Sequence, residues 1–281
     1  MIRTAFLLTL LTGILVILGG VFGGKTGMVI ALAIGLGLNF FNYWFSGSLV
    51  LKAHKAQLID SSHPQLGWVV DDVRAMAAKA DMPMPKVAFI PHAAPNAFAT
   101  GRNPANAVVA VTAGLIELCD RREVRAVMGH ELGHVQNRDM LVMTIVAGAV
   151  SAIGMLAMMA RWGAMFGAGG GDDEEGGASP IAMIAVALLA PIMAMLVQMA
   201  ISRTREYGAD KSGAGLADDP LALASALERL HSGIPARPAL SATGATAHMM
   251  IANPFFGKSL GQLFSTHPDP NERIRRLRAM A

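Results

Sequence analysis

Two histidines four residues apart with a glutamate between them, His130-Glu131-Leu132-Gly133-His134, are the residues of this chain best placed to do chemistry. On a helix that spacing puts both imidazoles on one face, where they can share a metal ion with Glu131 beside them. A zinc ion held this way lowers the pKa of its water towards 7, and Glu131 can take the proton as hydroxide attacks a peptide carbonyl. With eight His and eight Glu in 281 residues, random placement yields the pattern in roughly 0.6% of such chains. The plainer alternative is a pair of exposed histidines on a charged helix.

A catalytic zinc needs a third protein ligand and an open position. The residues after His134, Val135-Gln136-Asn137-Arg138-Asp139-Met140, lack the glycine at 137 and histidine at 140 of a metzincin continuation. The better candidate is Arg205-Glu206-Tyr207-Gly208-Ala209-Asp210. Glu206 and Asp210 are four apart and share a helical face, so Glu206 can complete the ligand set while Asp210 accepts the other N–H of a ligating histidine. Glu206 pairing with Arg203 or Arg205 is the plain alternative, and Asp139 is the next candidate for third ligand. One Zn²⁺ per chain is the expected cofactor.

These helices need a setting, and it is apolar. Hydrophobic residues make up 53% of the chain and charged ones 15%, against about 25% charged in soluble domains. Four uncharged stretches, Thr4–Gly24, Thr26–Leu51, Met140–Ala160 and Gly176–Ser202, each reach the roughly 20 residues a helix needs to cross a bilayer. The first two read as a hairpin anchor rather than a cleaved signal. The segment 52–139 carries ten Lys/Arg and the tail after Ser202 another ten, whereas the connector 161–180 has one, Arg161, and the acidic run Asp172-Asp173-Glu174-Glu175. The positive-inside rule then places both termini and both large polar segments in the cytosol.

Within the polar segments, residues 64–81 carry an amphipathic helical stripe, and Val87–Ile90, Asn96–Thr100 and Ala107–Val111 read as about three strands. A helix follows near Ala113–Cys119, and Glu123–Asp139 is expected as a polar helix running directly into the third span. The fourth span continues into a helix through Asp210, 220–231 forms another, 232–265 a long loop, and Pro270–Met280 a basic terminal helix. Both metal-binding helices would then extend membrane helices, placing the metal within roughly 10 Å of the interface. The organisation expected is a transmembrane hairpin at 1–51, a first metallopeptidase part at 52–139, a second hairpin with an acidic external loop at 140–202, and a second metallopeptidase part at 203–281. The fold class is mainly α, a membrane protein of four transmembrane helices with a zincin-like cytosolic α+β domain. A single cysteine, Cys119, excludes a disulfide framework and reads as a small buried hydrophobe. No block of basic residues supports a nucleic-acid partner.

The chain resembles the HtpX family of bacterial membrane metallopeptidases, relatives of the CAAX prenyl proteases. The resemblance lies in Asn96-Ala97-Phe98-Ala99-Thr100-Gly101, Val111-Thr112-Ala113-Gly114-Leu115, the His130–His134 motif with Asn137-Arg138-Asp139, the run Ser202 to Asp210, and Thr266-His267-Pro268 followed by Arg273-Ile274. It implies an ATP-independent zinc endopeptidase of the bacterial inner membrane that acts on damaged or misassembled membrane proteins and unfolded polypeptides from the cytosolic side, as part of quality control under stress. It also implies that Asn96, Ala97, Phe98 and Ala99 lie on an edge strand that pairs with extended substrate, and that His267 stabilises the oxyanion. A plain strand and a structural histidine are the alternatives at those two places. His54, His63, His92, His231 and His248 have no partner at useful spacing.

Two other readings compete. A site-2-type intramembrane protease would bury the motif in an apolar span, but Asp120-Arg121-Arg122-Glu123 and Arg138-Asp139 bracket it with charge. A membrane scaffold or chaperone with a structural zinc has no use for a carboxylate between the histidines.

Overall fold

In a computed structural model, residues 2–165, 180–232 and 268–281 are described. They form two compact units. One comprises Met1–Tyr43 and Met143–Ile201, the other Trp44–Val142 and Ser202–Ala281.

The first unit is helical. Helix α1 (Ile2–Ala53) is interrupted at Gly23 and Gly24, where Gly24 takes φ 56°, and the chain folds back on itself. Small residues permit the reversal, because a Cβ on Gly19 would lie 2.6 Å from the Gly27 carbonyl oxygen. Parts of α5 (Asp139–Met165) and α6 (Pro180–Ala217) complete the unit, with Ala157 and Ala187 packed together. Among the described residues, two helices are long and apolar enough to cross a membrane, Asp139–Met158 and Ile184–Ala217, and Thr9–Val21 and Gly23–Gly37 are shorter apolar helices. Pro191 sits inside α6 without ending it, as membrane helices tolerate. The acidic connector lies outside the described residues.

The second unit holds a four-stranded sheet, β1 (Gln57–Ile59), β2 (Lys86–Ile90), β3 (Ala97–Thr100) and β4 (Val108–Thr112), in the order β1-β2-β4-β3. The parallel pair β2–β4 is flanked by antiparallel β1 and β3, so β3 is an edge. Strand β1 adds one to the three expected; three residues, two of them exposed, carry too little alternation to be read beforehand. One face of the sheet, with Val87, Ala97, Ala99, Val109 and Val111, packs into a core with α2 (Gly67–Lys79), α4 (Arg121–Gln136) and α7 (Pro220–Ser232). The other face carries Ala88, Ile90, Phe98, Val108 and Ala110. Helix α3 (Ala113–Leu118) leads from β4 towards α4, and α8 (Pro270–Arg278) closes the chain.

Helix α4 starts at a capping box in which Asp120 and Glu123 satisfy each other's backbone N–H. It does not run into α5. The chain breaks at Asn137 and Arg138, and Arg138 takes φ 56° before α5 begins at Asp139. The expectation of a continuous helix from Glu123 through the third apolar stretch is therefore corrected. A left-handed residue redirects the axis, which a hydropathy pattern does not register. Helix α6, by contrast, continues unbroken from its apolar part through Asp210.

Candidate metal centre

Helices α4 and α6 meet almost backbone to backbone. A Cβ on Gly213 would lie 2.5 Å from both the N and the Cα of His130, and one on Gly133 would lie 2.8 Å from the Ala209 carbonyl oxygen. Only glycine permits that approach. It brings His130 and His134, one turn apart on α4, opposite Glu206 on α6.

His130 Nε2 lies 3.2 Å from His134 Nε2. Glu206 Oε2 is 3.6 Å from the first and Oε1 3.6 Å from the second. A tetrahedral zinc with bonds near 2.05 Å has ligand–ligand edges of about 3.3 Å. The two Nε2 atoms and the Glu206 carboxylate, which turns one oxygen to each, thus lie at the spacing of zinc ligands.

Each imidazole has a carboxylate behind it, hydrogen-bonded at His134 and at contact distance but off hydrogen-bond geometry at His130. His130 Nδ1 is 3.0 Å from Asp210 Oδ1, and His134 Nδ1 is 2.9 Å from Asp139 Oδ2. A histidine whose Nδ1–H is held by a carboxylate presents the lone pair of Nε2. Without a metal, one of two Nε2 atoms 3.2 Å apart must carry a proton to bridge them, and a metal cation can take that proton's place. The charges agree: Glu131, Glu206, Asp139 and Asp210 are buried with Arg273, and Arg205 is the other cation. Four carboxylates against two guanidiniums give a balance that favours a further cation. These residues fit a zinc ion.

Each orienting carboxylate is in turn held by an arginine. Arg273, on α8, grips Asp210 with Nε at 2.8 Å and Nη2 at 2.7 Å, and its Nη1 lies 3.1 Å from Glu206 Oε2. Arg205 Nη1 donates to Asp139 Oδ1 at 3.1 Å. Glu206 therefore faces Arg273 across the fold, while Arg205 turns to Asp139.

The electrostatics follow. Burial pushes Asp210 up, but the Arg273 charge and hydrogen bonds outweigh it and hold the carboxyl at about 2. Burial opposes a charge on His134, yet the Asp139 hydrogen bond and the charges of Glu206 and Glu131 carry it up to about 9. Glu131 is raised, mainly by burial, against the pull of both histidines. Glu131 also accepts the backbone N–H of Ala99. Thr112 N–H donates to the Asn96 carbonyl, and the register continues through Phe98↔Ala110. By antiparallel alternation Ala97 and Ala99 turn their backbone groups away from β4. The outer edge of β3 consequently faces Glu131.

His130, His134, Glu131, Glu206 and Asp210 thus come together, with Asn96, Ala97, Phe98 and Ala99 on or beside the adjoining strand. His267 lies outside the described residues, as does His248. His63 and His92 accept backbone N–H groups at Leu66 and Ala94, and His54 packs on Phe98. The roles of Asp139, Arg205 and Arg273 escaped the sequence reading. Arg273 left one faint signal, a cation beside Ile274 and Leu277 on the only apolar stripe of a basic helix.

Residues 63–281 match the description Peptidase family M48. The chain belongs to that family. It is similar to proteins called Protease HtpX homolog: 49% identical over 280 residues to that of Syntrophobacter fumaroxidans, covering 99% of this chain and 98% of the relative. It is 50% identical over 288 residues to that of Burkholderia thailandensis, covering 100% and 96%. Among solved structures it resembles the crystal structure of S. mikatae Ste24p, with TM-score 0.58 and 18% identity, over 97% of this chain and 62% of that longer chain. That likeness is one of fold. Membership of M48 and the near full-length match to HtpX homologues make the chain a membrane metallopeptidase.

Proposed function

We propose that this chain is a zinc endopeptidase that hydrolyses damaged or misassembled membrane proteins and unfolded polypeptides at the cytosolic face of the bacterial inner membrane. His130, His134 and Glu206 would hold one zinc ion, Asp210 would orient His130, and Glu131 would act as general base. The observation that carries this reading is the meeting of the two Nε2 atoms, 3.2 Å apart, with the two oxygens of Glu206, each 3.6 Å from one of them, beside the buried Glu131.

When bound, zinc supplies a Lewis acid that acidifies water and polarises a carbonyl. The chain's own residues do the rest. An extended peptide adds to β3 through the outward backbone groups of Ala97 and the carbonyl of Ala99, which lays its scissile bond against Glu131. Glu131 takes a proton from the attacking water and returns it to the leaving amine. Burial raises the proton affinity of the Glu131 carboxylate, which makes it a stronger base towards water. His267 is the candidate to stabilise the oxyanion.

The setting supports membrane substrates. Helix α6 carries Glu206 four residues beyond Ser202, about 6 Å along the helix from the end of the apolar stretch. With four spans and the Lys/Arg-rich segments inside, a substrate's own anchor would deliver its loops and tails to the site.

Purified protein in detergent, incubated with casein with and without a chelator, tests the reading. Glu131→Gln is expected to keep stoichiometric zinc and lose activity by several powers of ten. Cleavage by that variant at even a tenth of the native rate rules out the general-base role.

A further inference from the structure

We propose that Asp139 and Arg205 are positioning residues that hold the His134 imidazole in its metal-binding orientation, and that the left-handed turn at Arg138 serves to bring Asp139 to it. The proposal rests on the zinc-peptidase reading and adds residues to which that reading gives no role.

His134 and Asp139 are five residues apart. On an unbroken helix they would be about 7.5 Å apart along the axis and about 140° apart around it, so their side chains would not meet. The chain brings them together by stopping α4 at Gln136 and placing Arg138 at φ 56°, a conformation that L side chains other than Asn and Asp seldom adopt. The turn is well bonded. Arg138 N–H donates to Val135 at 3.1 Å, and its carbonyl accepts the N–H of Leu141 at 3.2 Å and of Val142 at 3.4 Å. Asp139 then opens α5, where the helix dipole favours a carboxylate.

The carboxylate, 3% exposed, divides its oxygens between two helices: Oδ2 to His134 Nδ1 at 2.9 Å and Oδ1 to Arg205 Nη1 at 3.1 Å. Arg205 is the residue immediately before Glu206, so one turn of α6 supplies both a candidate ligand and the counter-charge for the group that orients another ligand. Without Arg205, Asp139 would be a buried anion in a site already holding Glu131 and Glu206, which favours its protonation or withdrawal. Arg273, Asp210 and His130 repeat the arrangement from different segments of the chain.

Zinc affinity by competition with a chromogenic chelator, and the visible absorption of the cobalt-substituted protein, test the proposal. Band positions and intensities of cobalt report ligand geometry, which a merely structural role would leave unmoved. Asp139→Ala is expected to weaken zinc binding by about 10–100-fold and Arg205→Ala by about tenfold, as changes behind a metal ligand do. Both should alter the cobalt spectrum, and Arg205→Lys should restore most of the affinity. Native affinity and a native spectrum in Asp139→Ala and Arg205→Ala overturn the proposal. Should Asp139→Ala fail to fold, the Arg205 pair decides: equal loss in the Ala and Lys variants, or none in either, overturns it. Wild-type protein that binds zinc yet leaves casein intact defeats the peptidase reading instead, and the metal measurements still stand.

Discussion

Replacing Gly213 by alanine puts the whole geometry of the metal centre at risk through one methyl group. Its Cβ would lie 2.5 Å from the backbone N and Cα of His130, whereas carbon contacts are comfortable at about 3.5–4.0 Å. Backbone cannot rotate away, so α4 and α6 must part by about 1 Å. Metal sites tolerate about 0.2 Å in ligand distance, and Glu206 lies on the helix that would be displaced. Zinc affinity should fall more than about 100-fold, beyond what losing a supporting contact costs, with about 1–3 kcal/mol of stability lost to overpacking. Gly215 is the control. It lies two residues further along α6 with nothing within 4 Å of its would-be Cβ, so Gly215→Ala should stabilise by about 0.4–1 kcal/mol through the same loss of chain entropy. Chelator competition and thermal unfolding of both variants in one detergent measure the difference. If Gly213→Ala binds zinc within threefold of Gly215→Ala, the close helix crossing does not set the ligand geometry.

Metal binding should be linked to protons. With His134 titrating at about 9 before metal enters, the ion must displace a proton, so affinity should rise by up to about tenfold per pH unit between pH 6 and 8; binding heats that do not vary with buffer ionisation enthalpy would refute this. Glu206→Ala should lose both zinc and activity, and full zinc retention would move the third ligand elsewhere. Cysteines introduced into the acidic connector should label with a membrane-impermeant reagent in intact cells, and one at Arg102 only after lysis; protection of the connector would overturn the four-span topology. Cys119 needs no replacement as background, since it is 7% exposed and burial lifts its thiol to about 12. It should stay unlabelled in the folded protein even after lysis.

The parts of the site legible in the sequence were those governed by one helical period. His130 and His134, and again Glu206 and Asp210, are four apart, and a repeat of 3.6 aligns such pairs whatever surrounds them. Asp139 was passed over as an orienting group because five-residue spacing faces the wrong way on a helix, and only the left-handed Arg138 corrects it. Arg273 reaches its partners across 63 residues to Asp210 and 143 to His130, a contact that no local pattern encodes. The glycines of the α4–α6 seam look like helix weaknesses until the second helix is known. Strands β2, β3 and β4 were readable from apolar runs bounded by turn residues.

The two Arg–Asp–His arrangements bear on which ion the chain accepts. By fixing both imidazoles with Nε2 outward, they offer an incoming cation two neutral nitrogens and one carboxylate. Magnesium and calcium, which want six or more oxygens, would find little here to replace their water and should bind weakly despite their abundance. Among nitrogen-seeking ions, copper has the greater intrinsic affinity but prefers a tetragonal arrangement. A facial set whose edges are held by buried salt links cannot flatten to suit it. Discrimination between ions would thus be delegated to arginines that need never touch the metal.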